Sequence, residues 1–231
     1  MSGAQAENVL PLSAYLPFWQ KISASEQSKL LAAARQRTFH NGDVLSSGRN
    51  ECTGLFVVCS GQLRAFILSE NGKELTLYRL LPRDICLMSA SCMLHSLQFD
   101  IQIEALEETV VYQIPTEAYK SIMEQSAAVA NYTNELMASR FSEVVWLMDQ
   151  VLNHRLDSRL AALLLEEKDL AGSDMLVCTH EQLGNHLGSA REVVTRMLRY
   201  FQEEKLVRLT RGKIEITNEK GLEALAGESL R

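Results

Sequence analysis

From Ala127 to Asn153 the chain runs 27 residues without a proline or a glycine. At about 1.5 Å per residue, one helix over this stretch would extend roughly 40 Å. That is longer than most helices in a small domain. Met137, Phe141, Val144, Met148 and Val151 recur at steps of four and three and form one apolar stripe. Val129, Tyr132, Leu136, Glu143 and Trp146 form a second seam. Two readings follow: a single buried helix, or a helix that serves its own domain with one seam and a partner helix with the other.

What precedes this run has a different period. Ser25 to Arg35 reads as a short helix capped by Ser25. The segments "RQRTFHNGDVL", "GLFVVCSGQLRAFIL", "KELTLYRLL" and "IQIEALEETVVYQI" are rich in β-branched and aromatic residues. Asn41-Gly42, Ser60-Gly61 and Asn71-Gly72 punctuate them, where glycine admits the positive φ of tight turns. Short strands so separated predict an antiparallel double sheet or barrel of the jelly-roll kind. After Pro115, Thr116 to Met123 reads as a short helix leading to the long one. Leu156 to Lys168 is a further amphipathic helix, "AGSD" breaks it, and "MLVC" is a short strand.

The segment "THEQLGNHLGSAREVVTRMLRYFQEEKLVRLTRGKIEIT" carries the chemistry. Thr179-x-x-Gln182 and Ser189-x-x-Glu192 are both capping-box patterns, each opening a helix, with Gly188 at the turn between them. In the second helix Ala190, Val194, Met197, Leu198 and Phe201 share one face. Arg191, Glu192, Thr195, Arg196 and Arg199 share the other. Such a pair is a helix-turn-helix whose second helix presents an arginine-bearing side to a major groove. Arginine donates two hydrogen bonds to guanine O6 and N7, and glutamate accepts from cytosine N4. "LVRLTRGKIEIT" is a two-stranded wing turning at Arg211-Gly212, where Arg211 and Lys213 would meet phosphates. Glu192 has a second reading, as no more than the closing residue of a capping box. The arginines have one too, as a solvated face, and a winged helix-turn-helix can also serve protein contact.

Charge favours the nucleic-acid reading. From Thr179 to Lys213 seven basic residues face four acids, a balance of +3 in a chain whose net charge is -6, so the remainder carries -9. A basic end on an acidic body suits a polyanion partner. No apolar run is long enough for a membrane span, and the N-terminal stretch lacks a basic segment followed by an apolar core, so no secretory signal is expected. The five cysteines, Cys52, Cys59, Cys86, Cys92 and Cys178, form no CxxC pair, which fits a reduced, cytoplasmic compartment. No metal site is expected. There is no Ser-His-Asp cue, no GxxxxGK[ST] and no HExxH, so no enzyme is expected; a scaffold that uses the strand domain as a binding module is the other rival.

The order of these parts resembles the CRP/FNR family of bacterial transcription regulators, from about Leu16 to Thr217. "NGDVLSSGRNECTGLFVVCSGQLRAFILSENGKELTLYRLLPRDI" is similar to the family's cyclic-nucleotide-type β-roll. "LGNHLGSAREVVTRMLRYFQEEKLV", with its RExxxR pattern at Arg191, Glu192 and Arg196, is similar to its helix-turn-helix. The resemblance implies an α+β chain: a sensory β-roll over residues 1–126, a dimerisation helix over 127–153 and a winged helix-turn-helix over 154–231. It implies a homodimer, with Val129, Tyr132, Leu136, Phe141, Val144 and Met148 as dimerisation residues. It implies double-stranded DNA with a palindromic operator and GTGA-like half-sites, contacted by Thr179, Ser189, Arg191, Glu192, Thr195, Arg196, Arg199, Arg211 and Lys213. RNA polymerase would be a further partner if the protein activates.

The sequence departs from the family in the ligand pocket. Members that bind cyclic AMP have a Gly-Glu pair after the "PGD" turn and a later Arg-Ser or Arg-Thr pair for the phosphate. Here the turn is Pro82-Arg83-Asp84, Leu87 and Met88 replace the first pair, and the second falls near Phe99 and Asp100. A phosphate facing Asp100 with no arginine would be repelled. The expected effector is therefore not cyclic AMP. The oxygen-sensing branch needs an N-terminal cysteine cluster, and no Cys precedes Cys52, so no iron-sulfur cluster is expected. "ICLMSASCMLHSL" leaves three readings: a thiol switch, haem or metal site at Cys86 and Cys92 with His95 nearby; two small buried cysteines; or a small apolar ligand against Leu87, Met88 and Phe99. His40, His154, His180 and His186 are isolated and receive no role.

Overall fold

The computed structural model describes residues 9–47, 53–89 and 100–230. By internal packing the chain divides into two compact units, 1–67 with 77–143 and 68–76 with 144–231. The division falls inside the long helix, between Glu143 and Val144.

The first unit opens with helix α1 (Ala24–Ala33). Its cap is Ser23 and not Ser25: Ser23 Oγ accepts from the Glu26 amide at 3.3 Å, and the Glu26 carboxylate accepts from the Ser23 amide at 2.7 Å. Among the described residues eight strands follow: β1 (Arg35–Phe39), β2 (Val44–Ser46), β3 (Leu55–Ser60), β4 (Leu63–Leu68), β5 (Glu74–Leu80), β6 (Ile85–Cys86), β7 (Ile101–Ala105) and β8 (Thr109–Ile114). They form two sheets of four, ordered β1-β8-β3-β6 and β2-β7-β4-β5. The strand-rich segment from Ile101 to Ile114 holds β7 and β8, and they lie in different sheets. Gly42, Gly61 and Gly72 all have positive φ, as the turn reading requires.

Strand alternation sorts the side chains. Phe56 and Val58 of β3 point into the core between the sheets, with Leu63, Ala65, Tyr78, Leu80, Ile103 and Val111. Leu55, Val57 and Cys59 point the other way. They meet a helical layer that includes Phe18, Leu30, and Tyr119 and Ile122 of α2 (Thr116–Gln125). The central strand is buried on both faces, so it reads as a continuous apolar run.

Helix α3 (Ala127–Asn153) has the bounds that its lack of breakers predicts. The seam that begins with Val129, Tyr132 and Leu136 is used within the unit. Val129 is fully buried in the core, and Tyr132 and Leu136 pack against it. Val129 thus has no surface to offer a partner, a correction to its dimer role. The reason is that Phe18 and α2 already cover that side of the helix. Farther along, Phe141 (72% exposed), Val145, Met148 and Leu152 (74%) recur at steps of four and three and stay exposed; Val144 is half-buried.

The second unit holds α4 (Leu156–Ala171), β9 (Met175–Leu176), α5 (His180–Leu187), α6 (Arg191–Glu203), β10 (Val207–Thr210), β11 (Lys213–Ile216) and α7 (Glu219–Ala226). A three-stranded sheet, β10-β11-β9, closes over a core of Leu160, Leu164, Leu183, Val194, Leu198, Phe201 and Leu222.

Candidate nucleic-acid interface

The Thr179 side chain accepts from the Gln182 backbone amide at 3.1 Å, and the Gln182 side-chain Oε1 accepts from the Thr179 amide at 2.8 Å. This box satisfies two donors that a helix start leaves open. Leu183 and Leu187 of α5 turn inward. Gly188 then adopts a left-handed conformation, φ 68°, and closes the helix. The turn passes so near Gly184 that a methyl there would lie 2.7 Å from the Ser189 carbonyl oxygen.

Helix α6 begins one residue later than the second capping box would place it. Its cap is Ala190, which has no side-chain acceptor. The Ser189 amide instead donates to the Gly184 carbonyl at 2.9 Å, so Ser189 closes α5 and does not open α6. Glu192 therefore closes no box and lies exposed in the first turn of α6.

Val194, Leu198 and Phe201 are fully buried, and Met197 packs partly against them. Arg191, Glu192, Arg196 and Arg199 are exposed on the opposite face. Thr195 departs from its expected outward role. It is half-buried; its hydroxyl donates to the Arg191 carbonyl at 2.8 Å and lies 2.9 Å from His180 Nδ1. Arg211 and Lys213 are exposed where β10 turns into β11, with Thr210 opposite Lys213. Arg208 pairs with Glu215 across the wing.

Three residues that periodicity gave no role fix this site. The Gln202 side chain accepts from the Leu209 amide at 2.9 Å, which ties α6 to the wing. Arg159 of α4 donates to the Leu187 carbonyl at 3.0 Å, the end of α5. His180 joins the start of α5 to the middle of α6. Burial holds its imidazole below the ordinary value, and the charges of Arg191 and Arg199 push the same way. Only pairing across the fold reveals these contacts.

The proposed effector residues separate. Cys86 and Met88 face the core between the sheets, while Leu87 faces the helical layer. The strand ends at Cys86, Leu87 sits in a bend and Met88 in a 3-10 turn, and the three do not line one wall. The Cys86 sulfur is buried, and that burial pushes its thiol up; a thiol so held is a poor nucleophile. Cys59 is likewise pushed up to about 11 by burial. Cys92, His95 and Phe99 lie outside the described residues, and Asp100 is exposed. Among the described residues no cluster of three or more metal-ligating side chains is present.

Near this segment lies a group not anticipated in the sequence. Arg140 of α3 is buried, with its guanidinium 3.0 and 2.8 Å from the Glu143 oxygens and 3.6 Å from Asp84. It also stands 4.6 Å from the centre of the Tyr78 ring. Burial disfavours its charge, but Glu143, Tyr78 and Asp84 more than offset that.

A cyclic-nucleotide-type roll, a long helix and a winged helix-turn-helix together define a sensory DNA-binding protein. The comparisons agree. Residues 36–126 match the cyclic nucleotide-binding domain, and residues 158–225 match the Crp-like helix-turn-helix domain. A solved chain from Eubacterium rectale, assigned to the Crp/Fnr family of transcriptional regulators, is 50% identical over 92% of this chain and 99% of that one, with a TM-score of 0.90. The Cyclic AMP receptor protein of Thermus thermophilus is 25% identical over 91% of this chain and 96% of its own. The transcriptional activator protein Anr of Pseudomonas aeruginosa is 26% identical over 85% of this chain and 82% of its own. The chain belongs to the CRP/FNR family: it is a DNA-binding transcription regulator and not an enzyme.

Proposed function

We propose that this regulator works in the cytoplasm as a homodimer on a palindromic operator with GTGA-like half-sites. Arg191, Glu192 and Arg196 read base edges; Thr179, Arg199, Arg211 and Lys213 meet the backbone. The observation that carries this reading is the two-sided α6, with Val194, Leu198 and Phe201 buried beneath an exposed Arg191, Glu192 and Arg196. The uncovered stripe of Phe141, Val145, Met148 and Leu152 on α3 supports a second copy as its partner. A two-fold dimer sets two recognition helices one DNA turn, about 34 Å, apart.

The signal is of a class other than cyclic AMP. Leu87 and Met88 are apolar and buried, and the resemblance puts Asp100, a carboxylate, at the place of the pair that grips the phosphate in cyclic AMP binders. The buried Cys86 thiol weighs against a thiol switch based on that residue alone. RNA polymerase is a further partner if the outcome is activation.

Selection of binding sites from a random duplex pool tests the reading. Enrichment of an inverted repeat with guanine at a fixed position of each half supports it. Retention that depends on salt but enriches no sequence refutes base reading, and no retention at low salt refutes DNA binding. Calorimetry with cyclic AMP is expected to show no heat; a micromolar response overturns the effector argument.

A further inference from the structure

His180 ties the start of α5 to the middle of the recognition helix, and the sequence pattern gives it no role. Thr195 has one hydroxyl hydrogen, and the Arg191 carbonyl accepts it at 2.8 Å. The imidazole 2.9 Å away must then donate from Nδ1 to the Thr195 oxygen. That leaves Nε2 with a lone pair in the neutral ring and with a proton only in the charged one. Thr195 is thus locked from both sides, its hydrogen turned along the backbone and its oxygen turned toward α5.

The charged groups facing the ring are Arg191 and Arg199 of α6; on α5 itself Glu181 is next in sequence. Both arginines stand on the face assigned to DNA. In the free protein burial, and then these two cations, hold the imidazole below its ordinary value and favour the neutral ring. Phosphates arriving at the same arginines would cancel that repulsion and add a negative potential of their own.

Resting on the DNA reading above, we propose that His180 is a positioning residue for α6 whose ring takes up a proton when DNA docks, so that operator affinity depends on pH through this one side chain. The neutral ring orients Thr195 in the free protein; the charged ring keeps that bond and gains Nε2–H as a donor toward a phosphate oxygen. The sign follows from linkage. A group whose pKa rises on binding strengthens binding as pH falls through its bound-state value, and the gain levels off below its free-state value. The slope is at most about tenfold per pH unit per subunit.

The test measures operator affinity of the full-length protein from pH 6 to 8 at fixed ionic strength, on the duplex recovered by selection. The wild type is compared with His180→Asn, whose amide can donate to Thr195 but cannot titrate, and with His180→Ala, which can do neither. We expect wild-type affinity to rise at least threefold from pH 8 to pH 6 and His180→Asn to be flat over that range. At pH 8 His180→Ala is weaker and His180→Asn restores binding. In parallel, NMR of the wild-type His180 ring should show its pKa moving up when the operator is added. A pH slope in His180→Asn equal to the wild type's, or a ring pKa that stays or falls on binding, overturns the inference while leaving the DNA reading intact. A wild type that selects no DNA at any pH removes both.

Discussion

Arg196→Ala separates recognition from folding. Arg196 is exposed, on the outward face of α6, and no hydrogen bond or ion pair among the described residues engages it. Alanine has at least arginine's helix propensity. The melting temperature should therefore move by no more than an exposed substitution allows, within about 0.5 kcal/mol. On DNA the loss is specific. A bidentate arginine–guanine contact discriminates by about 1–3 kcal/mol, and a two-fold dimer loses it twice, about 2–6 kcal/mol in all, or roughly 30-fold to 10⁴-fold in affinity for the preferred site. Anisotropy titrations on duplexes with each base at one half-site position, beside a thermal melt, measure both effects. The variant should bind all four bases at that position alike. If its base preference equals the wild type's, Arg196 reads no base and the assignment of the α6 face fails; equal weakening on every sequence would make it a phosphate contact.

Other perturbations test the frame. Arg140→Ala should cost about 3 kcal/mol in chemical denaturation, since it removes a buried guanidinium and leaves the half-buried Glu143 without its cation; a double change, Arg140→Met with Glu143→Leu, should recover most of that, and additive losses would refute the pairing. Gly184→Ala gains about 1 kcal/mol of helix propensity but sets a methyl 2.7 Å from the Ser189 oxygen, which costs about 1–3 kcal/mol. Operator affinity and melting temperature should both fall, and a stabilised variant with full affinity would contradict the close turn. Phe141→Glu combined with Leu152→Glu should give a folded monomer in sedimentation, because both side chains are more than 70% exposed on the single chain; an unchanged dimer would place the partner elsewhere.

Much of this was legible in the sequence because local rules and tertiary packing agree. The long helix has the predicted bounds since nothing in it breaks the repeat. The α6 face is readable because Val194, Met197, Leu198 and Phe201 recur at a helical period and meet the core. Failures came where one backbone group had two possible uses. The Ser189-x-x-Glu192 spacing predicts that Ser189 opens α6, but its amide is committed to the Gly184 carbonyl and the cap is Ala190. Two seams were visible on α3, yet periodicity cannot say which one the roll occupies, so Val129 was assigned outward. Cys86, Leu87 and Met88 adjoin in sequence, but the chain leaves its strand after Cys86 and bends, which divides them between two cores. Arg140 and His180 were invisible because their partners, Tyr78 and Asp84 in one case and Thr195 in the other, come from other elements.

The side chains of Arg191, Glu192 and Arg196 lie exposed on α6, while Val194, Leu198 and Phe201 hold that helix in place. A duplicated copy of such a chain could exchange the first set and address a new regulon without endangering its own folding. Retargeting would be cheap in stability and abrupt in specificity, which is a route by which one scaffold diversifies into many regulators.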